Sequence, residues 1–170
     1  MGTLNLGGTT LSAVGGNWTD APPGTVIQVK AVSQDTAINT SSTMNYHSSL
    51  PTISQGTELL SISFTPRTPS SILVFNFTTY AYSNAVHNGI FALFEDSTCI
   101  AAIAPRHTYT SEAHDAQTIS MHKQITNTTA KTYSVRAGCQ PGNGATLYVN
   151  TYPAYSGVPQ TSLIITEVAQ

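Results

Sequence analysis

The chain has 170 residues, a formal net charge of −2 and 40 % hydrophobic residues, yet only 8 % of its residues are charged, against about 25 % in ordinary soluble domains. Abundant apolar residues with so little charge exclude a disordered chain, which needs the opposite combination. Six Lys and Arg in all exclude both a nucleic-acid face that works by counterion release and a polybasic membrane patch.

The polar surface must therefore be built from Ser, Thr and Asn, which suits a rigid, β-rich virion or extracellular protein better than a cytosolic enzyme. Apolar runs such as Ile72-Leu73-Val74-Phe75 are too short to cross a bilayer, so membrane insertion is not expected. Met1 to Asn5 has neither the basic nor the apolar region of a secretory signal. The expectation is a signal already removed, or release by lysis as virion parts are released.

Residues 1–24 stand apart. Leu4-Asn5-Leu6-Gly7-Gly8 is loosely echoed by Leu11-Ser12-Ala13-Val14-Gly15-Gly16, and Ala21-Pro22-Pro23-Gly24 closes the segment with turn formers. So few apolar residues cannot close a core, leaving an extended arm docked on a neighbour or a flexible tail. As an arm, its attachment contacts are Leu4, Leu6, Leu11, Val14 and Trp18.

Residues 25–170 read as one domain of successive strands. Thr25 to Val32 and Glu58 to Phe64 alternate and are rich in β-branched residues, and Ser71 to Tyr82 sets Leu73, Phe75 and Phe77 on one side. Gly89 to Phe94 and Cys99 to Ala104 flank the turn Glu95-Asp96-Ser97-Thr98. Gln117 to Thr126, Lys131 to Gly138, Ala145 to Asn150 and Ser162 to Val168 bring the strands to nine. Asp35 to Gly56 and Pro105 to Ala116 read as surface loops. No window shows helical periodicity, so the fold class is all-β, a sandwich or jelly roll.

Chemistry-bearing patterns are sparse. His107, Glu112, His114 and Asp115 share a loop, but their spacing matches no metal-ligand motif, so no metal is expected. His122, between Met121 and Lys123, reads as an outward strand position. There is no Gly-x-Ser-x-Gly elbow, no obvious carboxylate pair facing a cleft and no phosphate or dinucleotide loop, so neither catalysis nor a cofactor is expected. Cys99 and Cys139 could pair in a disulfide or stand as two small buried side chains. Tyr109, Tyr152 and Tyr155 on loops offer a ligand or receptor surface, with packing as the plainer reading; Tyr46, Tyr80, Tyr82 and Tyr148 lie at strand ends or in loops. Four Asn-x-Ser/Thr sequons carry no information in a chain so rich in these residues.

The order of segments resembles a known class. A Gly-Thr-Val-Ile-Gln-Val strand follows a Pro-Gly turn, and Leu59 to Pro66, Ser70 to Val74, Phe91 to Thr98, Thr132 to Val135, Thr146 to Asn150 and Ser162 to Val168 come in turn. This is similar to small bacteriophage structural proteins of the head-decoration, head-fibre and tail-fibre kind, although Glu95-Asp96-Ser97 replaces the basic residue and Asp-Gly turn of that class. The resemblance implies a jelly-roll sandwich of the tumour-necrosis-factor and C1q type, assembled as a homotrimer on a virion surface. The implied role is a capsid decoration or head-fibre protein whose arm binds other virion proteins such as the major capsid protein. The alternative is a tail-associated receptor-binding tip that grips host surface glycans, and a third, weaker possibility is a secreted C1q-like or lectin-like ligand.

Overall fold

The computed structural model describes residues 21–107, 115–142, 144–151 and 160–170, together with the backbone of three short strands nearer the N-terminus. Its strands are β1 (Thr3–Leu6), β2 (Thr9–Val14), β3 (Asn17–Trp18), β4 (Val26–Gln34), β5 (Ile38–Thr40), β6 (Thr57–Phe64) and β7 (Ile72–Ser83). They continue with β8 (His87–Glu95), β9 (Thr98–Ile103), β10 (Arg106–His107), β11 (Asp115–Gln124), β12 (Lys131–Cys139), β13 (Leu147–Val149) and β14 (Thr161–Val168). No helix occurs among the described residues. All nine expected strands are present with ends within two residues of the sequence reading, because one-sided burial imposes the two-residue period that alternation reports. The short β5 and β10 escaped notice, since two or three residues carry no period.

Two antiparallel sheets face each other. One runs β4-β14-β7 with β11 on the far side of β7, and is extended by β13 and β5; the other runs β6-β12-β8 with β9 and β10 beyond. Apart from the β8-β9-β10 run, which stays in the second sheet, the chain crosses between sheets at each step from β6 to β13, and this strand order is that of a jelly-roll sandwich. Leu73, Phe75 and Phe77 of β7 and Leu163 and Ile165 of β14 fill the interior against Ile62, Phe64, Phe91, Leu93, Tyr133 and Val135. Phe75 meets the Tyr133 ring at 4.9 Å and Phe77 meets Phe91 at 6.2 Å, within the range where aromatic pairs attract beyond their burial.

Within the N-terminal segment, β1, β2 and β3 pair antiparallel as a three-stranded sheet of their own. One expectation changes. The stretch from Asp35 to Gly56 is not simply a surface loop. Its middle covers the outer face of the β6-β12-β8 sheet, where Met44 lies fully buried against Ile90, Ala92 and Phe94. Backbone bonds from Met44 N–H to the Cys139 carbonyl and from Cys139 N–H to the Ser42 carbonyl clamp it there. Gly138 is required at this crossing, since a Cβ would stand 2.6 Å from both Met44 Cγ and the Ser42 carbonyl.

A buried carboxylate fastens the opposite end. Glu167, on the inner side of β14, is fully buried. It accepts hydrogen bonds from the backbone N–H groups of Arg67 and Thr68, from Ser71 Oγ at 2.7 Å and from Gln28 Nε2 at 2.6 Å. Burial alone would raise its pKa, but these donors together hold it below the usual carboxylate range. Glu167→Gln would leave an amide N–H₂ facing donors, and should cost about 3 kcal/mol in denaturant unfolding. The wild-type contribution is complete above the ordinary Glu value of about 4.3 and is lost as pH falls toward the depressed folded value. The variant's stability should therefore be flatter between pH 3 and 5, as measured by urea midpoints.

Candidate functional site

Among the described residues, nothing covers the outer face of β4-β14-β7-β11. Register and alternation place Val29, Ala31 and Ser33 beside Thr166, Ile164 and Ser162, these beside Val74, Asn76 and Thr78, and these beside His122, Ser120 and Thr118. Val26, Ile72 and Val168 complete one end, and Tyr80 with the Tyr82–Tyr148 stack, 4.6 Å between ring centroids, lies at the other. Val26 is 56 % exposed, Val29 59 %, Tyr80 44 % and Ile164 38 %. Between Ile72, Val74, Val168, Ser120 and His122 the surface sinks into an open hollow of about 440 Å³.

Among the described residues, no Asp, Glu, Lys or Arg side chain stands on this four-strand face, and His122 is its one titratable group apart from the tyrosines. The charges lie elsewhere. Lys123, on the inner side of β11, reaches Glu95 at 2.7 Å, Lys131 reaches Asp96 at 2.7 Å at the β8–β9 turn, and Arg136 reaches Glu58 at 3.5 Å on the other sheet. The two outer faces are thus treated differently: one is roofed by the chain's own Met44 segment, the other mixes Val and Ile with uncharged hydroxyl and amide side chains and has no such roof among the described residues.

A second feature is an open cleft of about 360 Å³ between residues 45–51 and Ile90 and Ala102 to Ala104. Tyr46 and His47 form a ring pair 3.5 Å apart at its rim, and His47 holds φ at +73°, a conformation uncommon for any residue with a side chain. Asn45 and Gln55 stiffen the loop: Gln55 Nε2 donates to Asn45 Oδ1 at 2.7 Å, and Asn45 Nδ2 donates to the Leu50 carbonyl at 3.2 Å. Tyr46 was noted in the sequence only as a strand-end or loop residue; its ring partner and the cleft depend on how the loop folds back.

The residues singled out from sequence fare unequally. Tyr109, Tyr152 and Tyr155, with Glu112 and His114, lie outside the described residues, as do the side chains of Leu4, Leu6, Leu11, Val14 and Trp18. His122 faces outward. His107, placed in a loop by the sequence reading, is buried on β10 directly across from His87. No cluster of three metal-binding side chains occurs among the described residues. Ser83 Oγ lies 2.7 Å from His87 Nδ1, but both groups are sealed from solvent, and Ser83 Oγ also donates to the Thr146 carbonyl and accepts from Ala85 N–H. That pair is a structural bond.

The disulfide left open above is not formed. Cys99 and Cys139 are free: β8 runs between them, with Cys139 opposite Gly89 and Cys99 opposite Phe94, too far apart for the short Cα separation a disulfide needs. Burial pushes both thiols up.

The molecule is therefore a jelly-roll sandwich with one roofed and one bare outer face. It matches no protein-family model and no curated protein. Among solved structures it is similar to latent PorU from Porphyromonas gingivalis (10 % identity, TM-score 0.46, 93 % of this chain and 14 % of that one). It is also similar to a structure of infectious bursal disease virus, Gx strain (13 %, 0.42, 84 % and 37 %), and to the sugar-binding C-terminal domain of EclA (14 %, 0.37, 76 % and 76 %). The chain spans only a fraction of the length of the first two, and likenesses this distant carry no argument about what it does. Alkylation of unfolded, unreduced protein should add two carbamidomethyl groups by intact mass; a product carrying none would mean a disulfide.

Proposed function

We propose that this chain is a non-enzymatic structural protein of a virion, assembled as a homotrimer through its β4-β14-β7-β11 face. The observation that carries the reading is that face. Four strands about 4.8 Å apart and eight to twelve residues long cover roughly 600 Å², close to the roughly 800 Å² per partner of a standard interface. Burying it against sister copies removes Val, Ile and Tyr surface from water without stripping any carboxylate or ammonium of its hydration. Its Ser, Thr and Asn side chains can bond across the contact. The hydroxyl-rich composition and the phage-like segment order support a virion setting.

In this reading the N-terminal sheet anchors the trimer to other virion proteins such as the major capsid protein, as a capsid decoration or head-fibre protein. Light scattering at micromolar concentration should give about three times 18.0 kDa. Val29→Asp with Ile164→Asp, both at exposed positions, should give a folded monomer. A wild-type monomer, or a double variant that remains trimeric, would sink the interface, and absence of the protein from purified particles would sink the virion setting.

One observation favours a second reading, a receptor-binding tip for host glycans: the rigid Tyr46–His47 cleft, lined by Asn45, Ser48, Ser49 and Leu50 with no Asp, Glu, Lys or Arg. Uncharged hydroxyl and amide groups beside an aromatic ring suit a neutral pyranose. Methyl glycosides of glucose, galactose and mannose, titrated to about 20 mM against amide NMR spectra, should shift residues 45–51 saturably, and Tyr46→Ala should abolish the shift. No shift with any of the three would exclude this cleft as a neutral-sugar site.

A further inference from the structure

Three of the four buried side-chain polar atoms without a hydrogen-bond partner among the described residues belong to two histidines. They are His87 Nε2 and both ring nitrogens of His107; Gln34 Nε2 is the other. The two residues are direct cross-strand neighbours on β8 and β10, with ring centroids 5.8 Å apart, and they are 3 % and 2 % exposed. Groups of this kind are expensive to bury unpaired, so a concentration of them calls for a reason.

The local bonding assigns the proton on His87. Nδ1 lies 3.2 Å from the Ala85 carbonyl, which can only accept, and 2.7 Å from Ser83 Oγ. Nδ1 therefore carries the hydrogen, and Nε2 is a bare lone pair in the interior. His107 lies over Gly89: a Cβ there would stand 2.6 Å from His107 Nε2. In the neutral state the pair leaves one N–H without an acceptor. A second proton on either ring would put a cation where no acceptor lies among the described residues.

We propose that His87 and His107 form a proton-operated latch, which holds β10 on the edge of β8 while both rings are neutral and releases it in acid. β10 has only two residues, paired as Arg106 with Asn88 and His107 with His87, and a backbone bond from Gly89 N–H to the Pro105 carbonyl at 3.0 Å is the adjoining tie. Few bonds therefore need to break. The charged and titratable groups around the pair, among the described residues, are Asp115 on β11, exposed Arg106 on β10 and the Cys139 thiol opposite Gly89 on β12. Those from β7 and β13, Ser83 and Leu147, are neutral. Asp115 favours the imidazolium and opposes release, but it is solvent-exposed and screened.

Burial lowers the His87 pKa against a smaller upward effect of the Ala85 bond, and burial followed by the neighbouring His87 lowers that of His107 against Asp115. A folded value below the unfolded one means the open form takes up protons first. The latch is thus intact above the ordinary His value of about 6.5 and weakens as pH falls below it.

The test follows the His Cε1 proton shifts and amide hydrogen exchange of the full chain from pH 7.5 to 4.5, with exchange corrected for its intrinsic pH dependence. The expected result is that both rings stay neutral below pH 6.5, and that Gly89 N–H loses protection at least tenfold as they charge, while β6–β12 amides keep theirs. His107→Phe, or His107→Leu should Phe not fit, should remove that local response. Rings that titrate near 6.5 with Gly89 protection unchanged would overturn the latch, as would a variant with the wild-type acid response. Oligomer mass measured across the same pH range keeps this outcome separate from that of the assembly interface.

Discussion

A β-sheet has two faces, and every apolar side chain on either must be covered by something. That constraint organises this molecule. The inner faces cover each other through Phe75, Phe77, Phe91 and Tyr133. Once they have met, the strand register is set, because slipping β6, β7 or β14 by one residue would turn its buried Phe, Leu or Ile row outward and its more polar row inward. What remains is two outer faces, and the chain treats them differently.

On the β6-β12-β8 side, β8 is apolar on both faces. Phe91 and Leu93 enter the sandwich, while Ile90, Ala92 and Phe94 point away from it. The Met44 segment supplies the missing cover, and Gly56 and Gly138 let it approach the strands closely. On the opposite sheet, Val74, Ile164 and Val29 alternate with hydroxyl and amide side chains and no segment of the described chain roofs them. Among the described residues, the ion pairs lie around the β8–β9 turn and on the β6–β12 pair, off this face. Such a partition leaves the bare face free of the charges that make desolvation expensive.

Buried polar groups mark where the fold departs from simple layering. Glu167 is satisfied by four neighbouring residues and fixes the loop that leads into β7. His87 and His107 are not satisfied in this way, and they sit where the second sheet ends in a two-residue strand. One is a fastening whose acceptors all find donors, the other a weak point that depends on remaining neutral.

Alternation and β-branching in the sequence by themselves determined the all-β class, the nine main strands and the inward row of β7, because one-sided burial writes a two-residue period into any strand. Scarcity of charge likewise told what kind of surface to expect. Only the tertiary structure decided which face stays bare, that Met44 is core rather than loop, that His107 is buried against His87, and that β8 separates Cys99 from Cys139. Each of these depends on which strand lies beside which. Pairing partners are set by long-range packing between segments far apart in the chain, and no local period records them.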